Sequence, residues 1–210
     1  MAELLRKTID ESTFYAIWHI SESVEELKSA SSLRKAEEEL YQSFVAESRK
    51  KQWLAYRLLI KTLLKPEDFP VEYDQSGKPF LAGSGFHISV THTEDLAAVI
   101  ISRNARVGID LEKIKPRIEK VRDKFLSSEE SESVGKEKEL EQLTIAWSAK
   151  EALYKLYGKR NLDFRENIKV EIPSEAGLTF NAEIHSGNKK DSYRLFSDRI
   201  GDIILVYLVE

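Results

Sequence analysis

The chain has no cysteine. That excludes a disulfide, a thiolate nucleophile and a cysteine-ligated metal. No stretch approaches the length of an apolar membrane span. The first residues, Met1-Ala-Glu-Leu-Leu-Arg-Lys7, have neither a long apolar run nor a cleavage signal. A strong charge of one sign is also missing. The formal net charge is −4 and the basic residues are spread along the chain, which argues against generic nucleic-acid binding. What remains is an ordinary globular composition, 41% apolar and 32% charged over 210 residues. That allows one large domain or two small ones with ample core. The expected setting is the cytoplasm, with no membrane and no nucleic acid as partner.

Taken in order, Thr13 to Ile20 reads as a buried strand, and Ser23 to Lys28 and Leu33 to Ala46 as helices with acidic early turns. Ser48 to Leu64 is a stronger helix, ended by Pro66. Along it Arg49, Trp53, Arg57 and Lys61 recur every four residues as a basic stripe. It is either a solvated face with snorkelling stems or a grip on phosphate. Pro66 to Gly85 is a turn-rich connection in which Gln75 to Pro79 presents Lys78 outward. Phe86 to Val90 is a strand, 91–95 a turn carrying His92, and Leu96 to Ser102 a buried strand. His87 reads as structural. Ile118 to Lys124 is helical, and Ser127 and Glu130 have capping-box spacing. Ser131 to Glu141 is highly charged and reads as exposed and mobile. Phe164 to Ile172 and Gly177 to Ile184 read as strands. Tyr193 to Phe196 and Ile203 to Val209 read as a closing hairpin.

Each half runs from helices through a turn-rich connection to a strand, a polar turn and a Val/Ile-rich strand. This coarse echo predicts an α+β fold of two similar lobes related by a pseudo-two-fold axis, 1–103 and 104–210. Functional residues would then lie in both halves, around a site formed between them.

Two stretches carry the chemistry. Ile145 to Lys155 has no proline or glycine, is rich in alanine and leucine, and is stopped by Gly158, so it reads as helix. Trp147, Glu151 and Lys155 fall on one face of it, with Lys150 beside them. Val107-Gly-Ile-Asp-Leu-Glu112 alternates as a strand, placing Asp110 and Glu112 on one side and Ile109 and Leu111 on the other. Alone, a strand Asp-x-Glu is a solvated face, and a Glu–Lys pair four apart supports a helix. If strand and helix pack together, Asp110, Glu112 and Glu151 converge as hard oxygen ligands with Lys150 and Lys155 nearby. That set suits a Mg²⁺-bridged phosphate chain.

These residues resemble a known family, the larger, pseudodimeric, surfactin-synthetase-activating 4′-phosphopantetheinyl transferases. Gly108-Ile-Asp-Leu-Glu112 matches the family's Gly-x-Asp-x-Glu. Trp147-Ser-Ala-Lys-Glu-Ala-Leu-Tyr-Lys155 matches its Trp-x-x-Lys-Glu-Ala-x-x-Lys. Ser89-Val-Thr-His92-Thr93 is similar to its Ser/Asn-x-Ser-His-Ser, with threonine on both sides of His92. Gly77-Lys-Pro79 and the Arg57 helix also fit, and the matches run from about Ser48 to Lys155.

The resemblance implies transfer of the phosphopantetheine arm of coenzyme A to a serine of an apo acyl or peptidyl carrier protein, with release of 3′,5′-ADP. It assigns Mg²⁺ to Asp110, Glu112 and Glu151. Glu151 becomes the general base, with a metal-bound water as the rival. Lys155 stabilises phosphoryl charge, and Lys150 contacts the diphosphate. Thr91 and His92 hydrogen-bond phosphate, and Lys78 and Arg57 hold the nucleotide end, Arg57 at the 3′-phosphate. Arg49, Lys50 and Lys61 are interchangeable candidates there. Trp147 has a supporting role. An internal pseudodimer is expected to act as a monomer. The competing readings are a noncatalytic module that binds coenzyme A or a carrier, and another Mg²⁺-dependent nucleotide enzyme such as a pyrophosphatase.

Overall fold

Two antiparallel sheets, each carrying one long helix, account for most of the ordered chain in the computed structural model, which describes residues 4–158 and 162–210. The fold is α+β. The chain divides into two units, residues 1–72 with 79–104, and residues 73–78 with 105–210. The tip of the turn-rich connection therefore groups with the second unit. Among the described residues no helix is long and apolar enough to cross a membrane.

In the first unit the strands are β1 (Leu4–Thr8), β2 (Thr13–His19), β5 (His87–His92) and β6 (Leu96–Ser102), ordered β1-β2-β6-β5. The edge strand β1 comes from a segment without clear alternation. It forms by pairing with β2, Leu5 opposite Ile17. Every residue of β6 is buried, as a central strand with a continuous apolar run requires. A short ribbon joins β3 (Val71–Tyr73) and β4 (Pro79–Leu81) inside the connection.

The helices of this unit are α1 (Val24–Ser31), α2 (Lys35–Ser43) and α3 (Glu47–Leu64). Ser23 and Glu26 close a capping box on α1. Residues 53–60 of α3 are all buried. The expected basic stripe is thus solvent-facing at Arg49 but enclosed at Trp53 and Arg57, because core packing reaches around the middle of the helix.

The second unit orders its sheet β7-β11-β10-β9-β8. The strands are β7 (Val107–Lys113), β8 (Ile168–Val170), β9 (Thr179–Ser186), β10 (Lys189–Ile200) and β11 (Ile203–Val209). β10 is longer than the local pattern predicts, since register with both β9 and β11 extends it. β8 is shorter than expected. Helices α4 (Arg122–Phe125) and α5 (Ser128–Ser133) precede the long α6 (Glu139–Tyr157). Ser127 and Glu130 form the predicted capping box on α5. Helix α6 begins at Glu139, six residues before the apolar run. The charged 131–141 segment is accordingly ordered, and Glu141 is buried, accepting from Arg199 and from the Ala176 amide. Gly158, at φ 71°, ends α6 with its amide on the Tyr154 carbonyl.

Candidate active site on helix α6 and strand β7

Gly108 sets how closely α6 can approach β7. A Cβ at this position would lie 2.3 Å from the Ala152 carbonyl oxygen and 2.7 Å from Leu208 Cδ2. Ala149 and Ala152 on the helix are fully buried. These small residues bring the helix backbone down onto the strand. Strand alternation then carries Asp110 and Glu112 to the face that Gly108 shares.

On that face Lys155 Nζ donates to Asp110 Oδ1 at 2.6 Å and to the Ile109 carbonyl at 3.2 Å. Asp110 is 4% exposed. Burial, and then the Asp110 carboxylate, push Glu151 up to about 7, with Glu112 adding to the rise and Lys155 opposing it. Glu112 is also raised, first by burial and then by Asp110, while Arg117, the Trp147 indole and Lys155 hold it down. Three acids from one strand and one helix thus share a single electrostatic neighbourhood. Burial of Glu112 and Glu151 disfavours their charged forms, and a cation would relieve that cost.

The donor set is three hard carboxylate oxygens, which suits a divalent cation. Among the described residues, however, no three acids or histidines are arranged as a ready set of metal ligands, and Asp110 stands on Lys155. The chemistry of the donors fits an ion. Their arrangement here is the one that pairs Asp110 with the lysine.

Lys150, next to Glu151 in sequence, is used otherwise than as the expected diphosphate contact. It is 0% exposed. Its ammonium meets Glu130 Oε2 at 2.7 Å and the carbonyls of Phe125, Phe164 and Ile168 at 2.7, 2.8 and 2.7 Å. Burial lowers its pKa, and Glu130 opposes that shift. Trp147, one turn earlier on α6, packs its ring against Phe125 and Phe164, with centroids 5.2 and 5.6 Å away.

The comparisons with known proteins fall on this part of the chain. Residues 106–207 match a family model described as the 4′-phosphopantetheinyl transferase superfamily. The match covers just under half of the chain. It contains Asp110, Glu112, Glu151 and Lys155. The 4′-phosphopantetheinyl transferase AcpT of Salmonella typhi is 32% identical over 121 residues, 52% of this chain and 60% of the relative. The 4′-phosphopantetheinyl transferase psf-1 of Bacillus pumilus is 33% identical over 100 residues, covering 46% and 42%. HetI of Nostoc sp., also a 4′-phosphopantetheinyl transferase, is 26% identical over 130 residues, covering 55% of each. The chain thus spans about half the length of these relatives.

The remaining residues that the transferase resemblance assigns to coenzyme A have varied surroundings. Arg57 is 6% exposed. It pairs with Glu37 at 3.0 Å, donates to the Val71 carbonyl at 3.0 Å and stacks on Trp53. Its guanidinium is engaged inside the first unit, which corrects its expected place at the 3′-phosphate. Thr91 and His92 are consecutive on β5 and so point to opposite faces; Thr91 is buried. His92 Nε2 lies 3.3 Å from Arg49 Nη1. Arginine only donates, so this contact uses the neutral ring as acceptor. Lys78 does not point outward: its ammonium donates to the Leu156 carbonyl at 3.1 Å, near the end of α6. Burial, and then Arg106, lower its pKa.

Two features of this segment escaped sequence reasoning, namely the Glu130 partner of Lys150 and Arg117 beside Glu112. The capping-box spacing marked Glu130 only as a cap. The other follows from which chain segments pack beside α6.

Proposed function

We propose that the chain transfers the 4′-phosphopantetheine arm of coenzyme A to a serine hydroxyl of an apo acyl or peptidyl carrier protein, releasing 3′,5′-ADP, as a monomer in the cytoplasm. The observation that carries this reading is the shared neighbourhood of Asp110, Glu112 and Glu151 under Lys155. The segment that holds them also matches the 4′-phosphopantetheinyl transferase superfamily model.

The serine oxygen attacks the β-phosphorus of coenzyme A, and the bond to the bridging oxygen breaks, leaving that oxygen's electron pair on 3′,5′-ADP. Glu151 takes the serine proton, directly or through a water. Asp110, Glu112 and Glu151 would hold Mg²⁺, which when bound neutralises charge on the diphosphate. Lys155 stands on Asp110 and is placed to offer its ammonium to the phosphoryl oxygens. His92, with Arg49 beside it, serves a phosphate of coenzyme A. Glu112 also borders a groove of about 420 Å³ lined by Lys113, Lys115, Arg117, Lys120, Ile118 and Val121. Basic rims on an apolar floor suit a carrier with an acidic surface.

The test is mass spectrometry of a panel of apo-carriers incubated with coenzyme A and Mg²⁺. The expected result is a phosphopantetheine adduct on one serine of at least one carrier, absent without metal. Phosphate release from coenzyme A with no carrier present, and no adduct on any carrier, would overturn the proposal.

A further inference from the structure

We infer that Lys155 is an exchangeable partner of Asp110: its ammonium neutralises the buried carboxylate, yields it to a divalent ion, and is released by that exchange towards the phosphoryl oxygens of the substrate. This rests on the transferase reading, in which Asp110 serves such an ion.

Three observations carry it. Asp110 is 4% exposed, and its Oδ1 accepts from Lys155 Nζ at 2.6 Å. The Lys155 side chain is 25% exposed and stands in the last turn of α6, so the group that covers the acid reaches solvent while the acid does not. Among the described residues its other acceptor is the Ile109 carbonyl, at a longer 3.2 Å.

Lys150, on the same helix, is the contrast. Its ammonium is wholly enclosed and is held by Glu130 and by the carbonyls of Phe125, Phe164 and Ile168. Freeing it would strand an enclosed carboxylate and those carbonyls together. Freeing Lys155 uncovers one carbonyl and one acid, and an arriving cation satisfies the acid again.

A buried carboxylate without a counter-charge is strongly disfavoured, so a cation of one kind or the other must stand on Asp110. The ammonium and a divalent ion seek the same carboxylate and repel each other, so binding of one drives out the other. A lysine is suited to leave. It is a single charge on a flexible stem, where an arginine fork would grip both oxygens. Pairing with Lys155 then lowers the apparent affinity for the ion by the fraction of time that Asp110 is free. The exchange also orders events: the ammonium reaches the diphosphate only once Asp110 has taken the ion.

The test titrates Mn²⁺ alone into the full chain and follows free Mn²⁺ by electron paramagnetic resonance, for wild type, Lys155→Met, Asp110→Asn and the double variant. Near-ultraviolet circular dichroism checks that each is folded. Lys155→Met keeps the stem and removes the charge, and is expected to bind Mn²⁺ about tenfold more tightly than wild type. In the Asp110→Asn background the same substitution should change affinity by less than about twofold, because nothing is left to compete for. Plain repulsion by the lysine charge would persist there. A second readout uses wild type alone. In ¹⁵N correlation spectra of the lysine ammonium groups, the Lys155 signal, assigned by its loss in Lys155→Arg, should be protected from water exchange in chelator and should lose that protection with Mg²⁺. The enclosed Lys150 ammonium should stay unchanged as the internal reference. This readout decides if Lys155→Met does not fold or Asp110→Asn binds no Mn²⁺.

Equal or weaker Mn²⁺ binding in Lys155→Met, or a Lys155 ammonium signal that Mg²⁺ leaves as it was, would overturn the inference and leave the transferase reading standing. Wild type and Lys155→Met both failing to bind Mn²⁺ would overturn both.

Discussion

Helices α3 and α6 each lie on one antiparallel sheet, yet they meet it with different side chains. The middle of α3 presents Trp53, Leu54, Tyr56 and Leu59, all 2% exposed or less. α6 presents Ala149 and Ala152 and meets Gly108. Both helices bury a cation against a glutamate, Arg57 on Glu37 and Lys150 on Glu130. Only the second unit adds acids to the strand beneath its helix. A bulky interface spends its face on core. A small-residue interface leaves the strand's polar side chains within reach of the helix's own. The paired cations are fold devices in both units, whereas the acids of the proposed site come together where alanine and glycine let the helix approach the strand.

The largest effect should come from removing the acid that α6 contributes. Glu151→Ala is expected to lower carrier labelling by about 10³-fold or more, measured as initial rate by mass spectrometry, with the fold retained. A smaller loss would mean that the close interface brings no catalytic group into play.

Next, the two buried cations should behave alike in stability. Arg57→Ala leaves Glu37 without its partner in a largely enclosed site, so unfolding free energy should drop by about 3–5 kcal/mol, read from urea denaturation. A drop below about 1 kcal/mol would show that the first unit does not depend on its pair.

The third experiment tests the close approach itself. Gly108→Ala forces a Cβ against backbone oxygen and should cost about 3 kcal/mol. Gly85→Ala in the first unit, where a Cβ meets nothing within 4 Å, should stay within about 0.5 kcal/mol. Equal thermal shifts for the two would remove the distinction drawn here.

The smallest effect is in pH. Glu151 sits near 4.5 when unfolded and about 7 when folded. The folded chain then holds that proton more tightly, so its stabilisation is complete below about pH 4.5 and is lost as pH rises through 7. In chelator, the wild type should lose about 2 kcal/mol over this window relative to Glu151→Gln, after discounting for partial exposure. Added divalent ion competes with protons for the acids, so its apparent affinity should rise with pH over the same range.

Much of this was legible in the chain. Trp147 to Lys155 was readable as helix because propensity and the stop at Gly158 agree. The alternation in Val107 to Glu112 was readable because strand period is a local property. The β1 strand was not, since it exists through its partner β2. The onset of α6 at Glu139 was hidden by a charged first turn, where Glu141 is buried only because Arg199 and the Ala176 amide come from distant strands. Lys78 was read as an outward turn residue because nothing local shows that the end of α6 lies within reach.

By itself the sequence determined the helix and strand that carry the acids, and which face each acid takes, because both follow from period and propensity. Tertiary structure alone decided which cations are consumed. Arg57, Lys150 and Lys155 look equivalent as letters. Burial separates them, since an enclosed charge must find its partners inside the protein, whereas Lys155, 25% exposed on its side chain, stays at the edge of the acid cluster where a ligand can reach it.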